Sequence, residues 1–135
     1  KVRALEQYSA TCQRELTPRL ERYVASFQKS GRYTSRQSLQ QSMKEQILPP
    51  LVSYVTALQQ LRPQTPQLQQ IHQSLTSAYT QWLGTLEAFT KSLDSDAGWV
   101  KSAVGLRHKA QALERAEEQY QTQLKQYARS PTRRR

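Results

Sequence analysis

Between Pro66 and Leu93 one apolar stripe runs without a gap. Leu68, His72, Leu75, Tyr79, Trp82, Leu86, Phe89 and Leu93 follow one another at steps of four and three, with Ile71 and Leu83 beside them. Alternating fours and threes track the α-helical turn, so the spacing predicts a long helix with a continuous apolar face. Thr65-Pro66 supplies its start, a capping hydroxyl followed by proline at the first helical position. A face of that length has to be covered by other elements.

The remaining sequence offers the cover. Trp99, Ala103, Leu106, Ala110, Leu113, Tyr120, Leu124 and Tyr127 share one face, with Glu117 or Ala116 at the one missing step. The first segment carries Val2, Leu5, Tyr8, Cys12, Leu16, Leu20, Tyr23, Val24 and Phe27; the second carries Leu39, Met43, Ile47, Leu51, Tyr54, Val55, Leu58 and Leu61. Gly31 ends the first, Thr34, Ser35 and Gln37 offer caps for the second, and Arg62-Pro63 stops it. The pattern predicts helices over 2–30, 35–62, 66–94 and 96–128. Connections of a few residues force neighbours to alternate in direction. The expected fold is all-α, an antiparallel up-down-up-down four-helix bundle forming one domain over 1–128. An open three-helix arrangement with a loose first helix and a dimer that completes the bundle in trans are the alternatives. Residues 129–135 lack an apolar face and read as a disordered basic tail.

Prolines interrupt the first two stripes without breaking their phase. Pro18 lies inside the first, Pro49 and Pro50 inside the second, and each removes a backbone donor. Both helices are therefore expected to kink. Counting from the turns places Pro18, Pro49, Tyr79, Trp82 and Ala110 at one level, a candidate mid-bundle pocket for a small ligand. The competing expectation is that Tyr79 and Trp82 fill that space. Gly105 and Gly98 are expected to permit close helix approach.

Reactive chemistry is hard to find in this pattern. Glycine occurs only 4 times and asparagine not at all, which leaves no Gly-rich phosphate loop. Neither His72 nor His108 has a carboxylate within one helical turn, so no metal site and no cofactor are expected. The single cysteine, Cys12, lies on an apolar stripe and reads as a small buried hydrophobe. The acids fall outside the stripes; Glu6, Glu15, Glu21, Glu45 and Glu87 read as surface charges. His72 reads as a core-edge histidine bonded to a neighbouring hydroxyl or amide. No catalytic residues, and no enzyme, are expected.

Charge points to partners. Lys plus Arg is 20 against 10 acids, a net charge of +10. That balance favours an acidic protein, lipid head groups or nucleic acid. The candidate basic contact is Arg32 and Arg36 at the first turn together with Arg129, Arg133, Arg134 and Arg135 at the end. Nothing is apolar enough for a transmembrane segment. The aromatics sit mostly on core stripes, which disfavours single-stranded nucleic acid, and the helices are too long and regular for a recognition-helix motif. Another protein is the first expectation, and a second copy of the chain is possible.

The run Leu61-Arg62-Pro63-Gln64-Thr65-Pro66, followed by Ile71-His72 and Leu75, is similar to helical domains of bacterial exported or lipid-anchored proteins. The resemblance implies a processed, extracytoplasmic setting and carries no catalytic residues. The resulting expectation is a non-catalytic interaction or scaffold module. An electrostatic binder of anionic surfaces and a small-ligand sensor are the alternatives.

Overall fold

The computed structural model describes residues 2–29, 35–94 and 99–129. Among them there is no strand, and the chain is all-α. Helix α1 (Val2–Thr11) passes through a π-helical turn, Cys12–Leu16, into α2 (Thr17–Lys29). Helix α3 (Arg36–Ser42) passes through a second π-helical turn, Met43–Ile47, into α4 (Leu48–Gln60). Helices α5 (Pro66–Ser92) and α6 (Trp99–Arg129) are uninterrupted. The described residues thus fall into four long rods.

The caps follow from local chemistry. Ser35 is extended, and its hydroxyl accepts from the Ser38 amide at 3.0 Å, opening α3. Thr65 does the same for α5, accepting from the Leu68 amide at 3.2 Å with Pro66 in the first turn. The second rod ends at Gln60, two residues short of the expected limit, because Leu61 is already extended (φ −73°, ψ 132°). Arg62 then turns back and donates to the Gln59 carbonyl at 2.8 Å, satisfying one of the acceptors the helix end leaves open. The expected cap at Gly31, the fourth-helix start at 96–98 and the tail beyond Arg129 lie outside the described residues.

At the prolines, the described backbone shows a widened turn. Leu48 donates to the Met43 carbonyl, and Thr17 to the Cys12 carbonyl, each five residues back. A single residue separates the end of each π turn from a proline, which has no N–H and whose ring crowds the carbonyl four residues earlier. Around Pro18 the Arg19 guanidinium supplies a substitute donor to the Glu15 carbonyl.

The apolar spacing shows why the turn widens at these two places. Tyr8, Cys12, Leu16 and Leu20 are spaced by three consecutive fours, as are Leu39, Met43, Ile47 and Leu51. Twelve residues exceed three ordinary turns of about 3.6 residues by roughly one residue. A single π turn absorbs the surplus and returns the next apolar residue to the same face. Leu16, Met43, Ile47 and Leu51 are all buried, whereas Val24 and Phe27, expected on the first stripe, are exposed near the end of α2.

Side chains from all four rods form one core cluster, from Ala4 and Tyr8 through Leu51, Leu58, Leu68 and Leu86 to Tyr120 and Tyr127. Its most deeply buried members, Ile47, Leu51, Leu58, Leu68, Leu86 and Leu93, come from the second and third rods. Burying each such side chain contributes about 1.5–3 kcal/mol. The expected close approach at Gly105 is not found: a Cβ built there meets nothing within 4 Å.

Candidate functional site

The chemically distinctive region is a set of buried polar groups at the end of the core near the 61–65 connection. His72, on the first turns of α5, is buried and held at both ring nitrogens. Its Nε2 lies 2.7 Å from the Leu58 carbonyl, which can only accept, so Nε2 carries the proton. In the neutral ring Nδ1 then accepts, and the Tyr8 hydroxyl, 2.9 Å away, donates to it. Tyr8 in turn accepts from the Tyr120 hydroxyl at 2.6 Å. The proton direction along Tyr120, Tyr8, His72 and Leu58 follows from one fixed acceptor at its end.

Burial sets the ionisation of these groups. It lowers the pKa of His72 below its ordinary value, the Leu58 carbonyl opposes that shift, and the Arg62 charge adds to it. Desolvation raises the phenols of Tyr8 and Tyr120 far above the usual tyrosine range. The Cys12 thiol, half-buried beside them, is also raised by burial, against hydrogen bonds with Tyr8 and Tyr120 that lower it. The cluster is therefore neutral at physiological pH, and Cys12 is a thiol rather than a thiolate nucleophile.

A second polar layer lies further along the bundle. Tyr79 packs edge-on against Tyr54, ring centroids 4.9 Å apart. Burial raises its phenol, and the nearby carboxylate of half-buried Glu117 raises it further. The Trp82 indole N–H donates to the Tyr23 hydroxyl at 2.9 Å. Glu117 occupies the step at which the fourth stripe lacks an apolar residue. It works on the core side, which corrects the expectation that every acid stands outside the stripes. The phenol it acts on, Tyr79, belongs to α5, so the relation is invisible until the rods are side by side. Buried Thr76 and Thr90 bond the carbonyls four residues back, His72 and Leu86, at 2.9 and 2.7 Å.

The residues singled out from sequence are distributed as follows. Tyr79 and Trp82 are buried in the core, Ala110 is half-buried, and Pro18 and Pro49 are exposed. Pro49 lines a surface hollow with Arg22, Glu45 and Pro50, which contains neither Tyr79 nor Trp82. Of the candidate basic contact, Arg36 opens α3 and Arg129 ends α6, while Arg32, Arg133, Arg134 and Arg135 lie outside the described residues. Among the described residues, no three His, Cys, Asp or Glu gather as metal ligands, and no helix is long and apolar enough to cross a membrane.

Two hollows flank the 61–64 connection. One, about 560 Å³, is bordered by Tyr8, Arg14, Arg19 and Arg62; the other, about 550 Å³, by His72, Thr76, Gln73 and again Arg62. Tyr8 and His72, bonded to each other, each border one of them. Along α6, no residue between Val100 and Gln119 is buried. Its Val100 and Val104 are 56% and 62% exposed, the most exposed large apolar side chains described. No known family, curated protein or solved structure matches the chain.

Proposed function

We propose that the chain is a non-catalytic helical-bundle interaction module whose partner is an acidic protein. The observation that carries this reading is the outer face of α6. Val100 and Val104 stand one turn apart and exposed, and the stretch from Val100 to Leu113 contains Lys101, Arg107 and Lys109 with no acid. Two exposed apolar side chains on a stretch whose only charges are positive complement an acidic surface that carries apolar anchors of its own. The neutral, internally bonded tyrosines, histidine and thiol support a structural role for the polar core rather than a catalytic one. The setting proposed is a processed domain of a bacterial exported or lipid-anchored protein.

In this reading the rods alternate in direction. Gln40, early in the second rod, donates to the Thr90 carbonyl late in the third at 3.0 Å, while Leu58, late in the second, meets His72 early in the third. Tyr127, late in the fourth, meets Thr65 at the start of the third at 3.2 Å. These pairings support an up-down-up-down bundle. A bend of the first two rods at their π turns belongs to the same proposal.

The test is quantitative affinity capture from the native cells with the wild-type chain and with Val100→Asp/Val104→Asp. A reproducible acidic protein lost from the variant, with helical content unchanged, is expected. Equal recovery on both chains refutes the α6 interface. The net charge of +10 favours a second reading, attraction to an anionic polymer or membrane surface. That reading requires retention on heparin or acidic vesicles that both valine substitutions leave intact and moderate salt abolishes.

A further inference from the structure

The hollow beside Tyr8 has a composition that the interaction reading does not use. Arg14 and Arg19 reach it from the first π turn and the residues after it, and Arg62 reaches it from the 61–64 connection. A single carboxylate, Glu15, lines the hollow along with these three guanidiniums. It pairs with Arg14 at 3.0 Å and with Arg19 at 3.5 Å, so one negative charge is shared between two cations. Arg62 is held from behind by its bond to the Gln59 carbonyl. The hollow therefore keeps an excess of positive charge inside a concave surface, where a bound charge is less exposed to water than on a flat face.

The rest of its lining is small and apolar. Ala4, Ala10 and Ala57 stand where larger side chains would fill the space, and Leu61 and Tyr8 complete the floor. Gln7 and Gln64, bonded to each other, bridge the lip from the first rod to the connection. A space of about 560 Å³ lies within the range of small-molecule sites. Guanidinium forks match planar carboxylates and tetrahedral phosphates alike. We propose that this hollow binds a small organic anion, its carboxylate or phosphate head between Arg14 and Arg62 and a compact apolar body against Ala4, Ala57 and Leu61. The site is independent of the α6 face and stands or falls apart from it.

The experiment is an amide-resolved NMR titration of the full chain with phenyl phosphate, benzoate, inorganic phosphate and benzyl alcohol. Saturable shifts are expected for phenyl phosphate or benzoate, confined to amides around the hollow, with half-saturation below about 10 mM. Whichever of the two binds more tightly identifies the head group. Arg14→Gln/Arg62→Gln should weaken binding by about tenfold or more. Ala10→Trp, which fills an exposed position on the rim without removing charge, should do the same, while Arg115→Gln on α6 should not. The proposal is overturned if neither organic anion saturates, if shifts scatter over the basic surface, or if the double arginine variant binds as the wild type does. Inorganic phosphate or benzyl alcohol binding as tightly as the organic anions would also overturn it, since one half of the site would then be idle.

Discussion

Removing the Tyr8 hydroxyl tests the proton order deduced for the buried polar chain. Tyr8→Phe keeps the ring and its edge-on packing against His72, centroids 5.6 Å apart, so the change is confined to one oxygen. That oxygen serves two partners. Without it, Nδ1 of His72 has no donor and the Tyr120 hydroxyl has no acceptor, both inside the core. A buried polar group left unsatisfied costs about 1–3 kcal/mol, so two place the loss at about 2–6 kcal/mol, less any part that the Cys12 thiol recovers. Tyr120→Phe removes the donor at the far end and leaves the Tyr8-to-His72 bond intact, so about 0.5–1.5 kcal/mol is expected. Urea unfolding monitored by circular dichroism at pH 7.5 gives both numbers. With both phenols replaced, the loss should be smaller than the sum, because Tyr120 no longer has a bond for Tyr8→Phe to orphan. If Tyr120→Phe costs as much as Tyr8→Phe, or more, the deduced order is wrong.

The same histidine sets a pH dependence. Its folded pKa is lowered, so the unfolded chain takes up a proton first as pH falls. Stability should be full above about pH 6.5 and decline below it, with a slope approaching at most about 1.4 kcal/mol per pH unit until the folded ring titrates. His72→Gln should flatten that decline between pH 7 and 5.5; an unchanged slope would exclude His72 as its source. Trp82→Phe and Tyr23→Phe each leave half of one buried hydrogen bond, and each should cost about 1–3 kcal/mol. Their double variant should show a coupling of about 0.5–1.5 kcal/mol, and strict additivity would mean the bond contributes nothing. Deleting Gln13 removes the surplus residue of the first π turn and drives Pro18 against an ordinary helical turn, at a cost of about 3 kcal/mol. Adding Pro18→Ala should recover most of that loss, and no recovery would sever the link between proline and the widened turn.

Much of the fold is legible in the sequence because burial follows spacing. The fours and threes of α5 mark its buried face from Leu68 to Leu93, and Ser35 and Thr65 mark the starts of their helices. The π turns were legible as well, in the three consecutive fours at Tyr8–Leu20 and Leu39–Leu51. Pro18 and Pro49 draw attention to a kink instead, because proline is the commoner cause of an interrupted helix. The polar core was not legible. Tyr8, His72 and Tyr120 are 64 and 48 positions apart in sequence order, and each alone resembles an ordinary amphipathic core residue. Only Glu117 carried a local mark, a carboxylate where the stripe asks for an apolar side chain. The hollow at Arg14, Arg19 and Arg62 depends on two segments meeting, and no single segment announces it.

Oily side chains are forgiving about what they touch, and a rod lined with leucines can slip by one turn, about 5.4 Å, and still be covered. The hydroxyl-to-imidazole relay is not forgiving. After such a slip Tyr8, His72 and Tyr120 would all miss one another and stand dry and unsatisfied. Slipped arrangements of three separate rods are thereby penalised together, and the chain is left with one alignment of its helices at the end nearest the 61–65 connection.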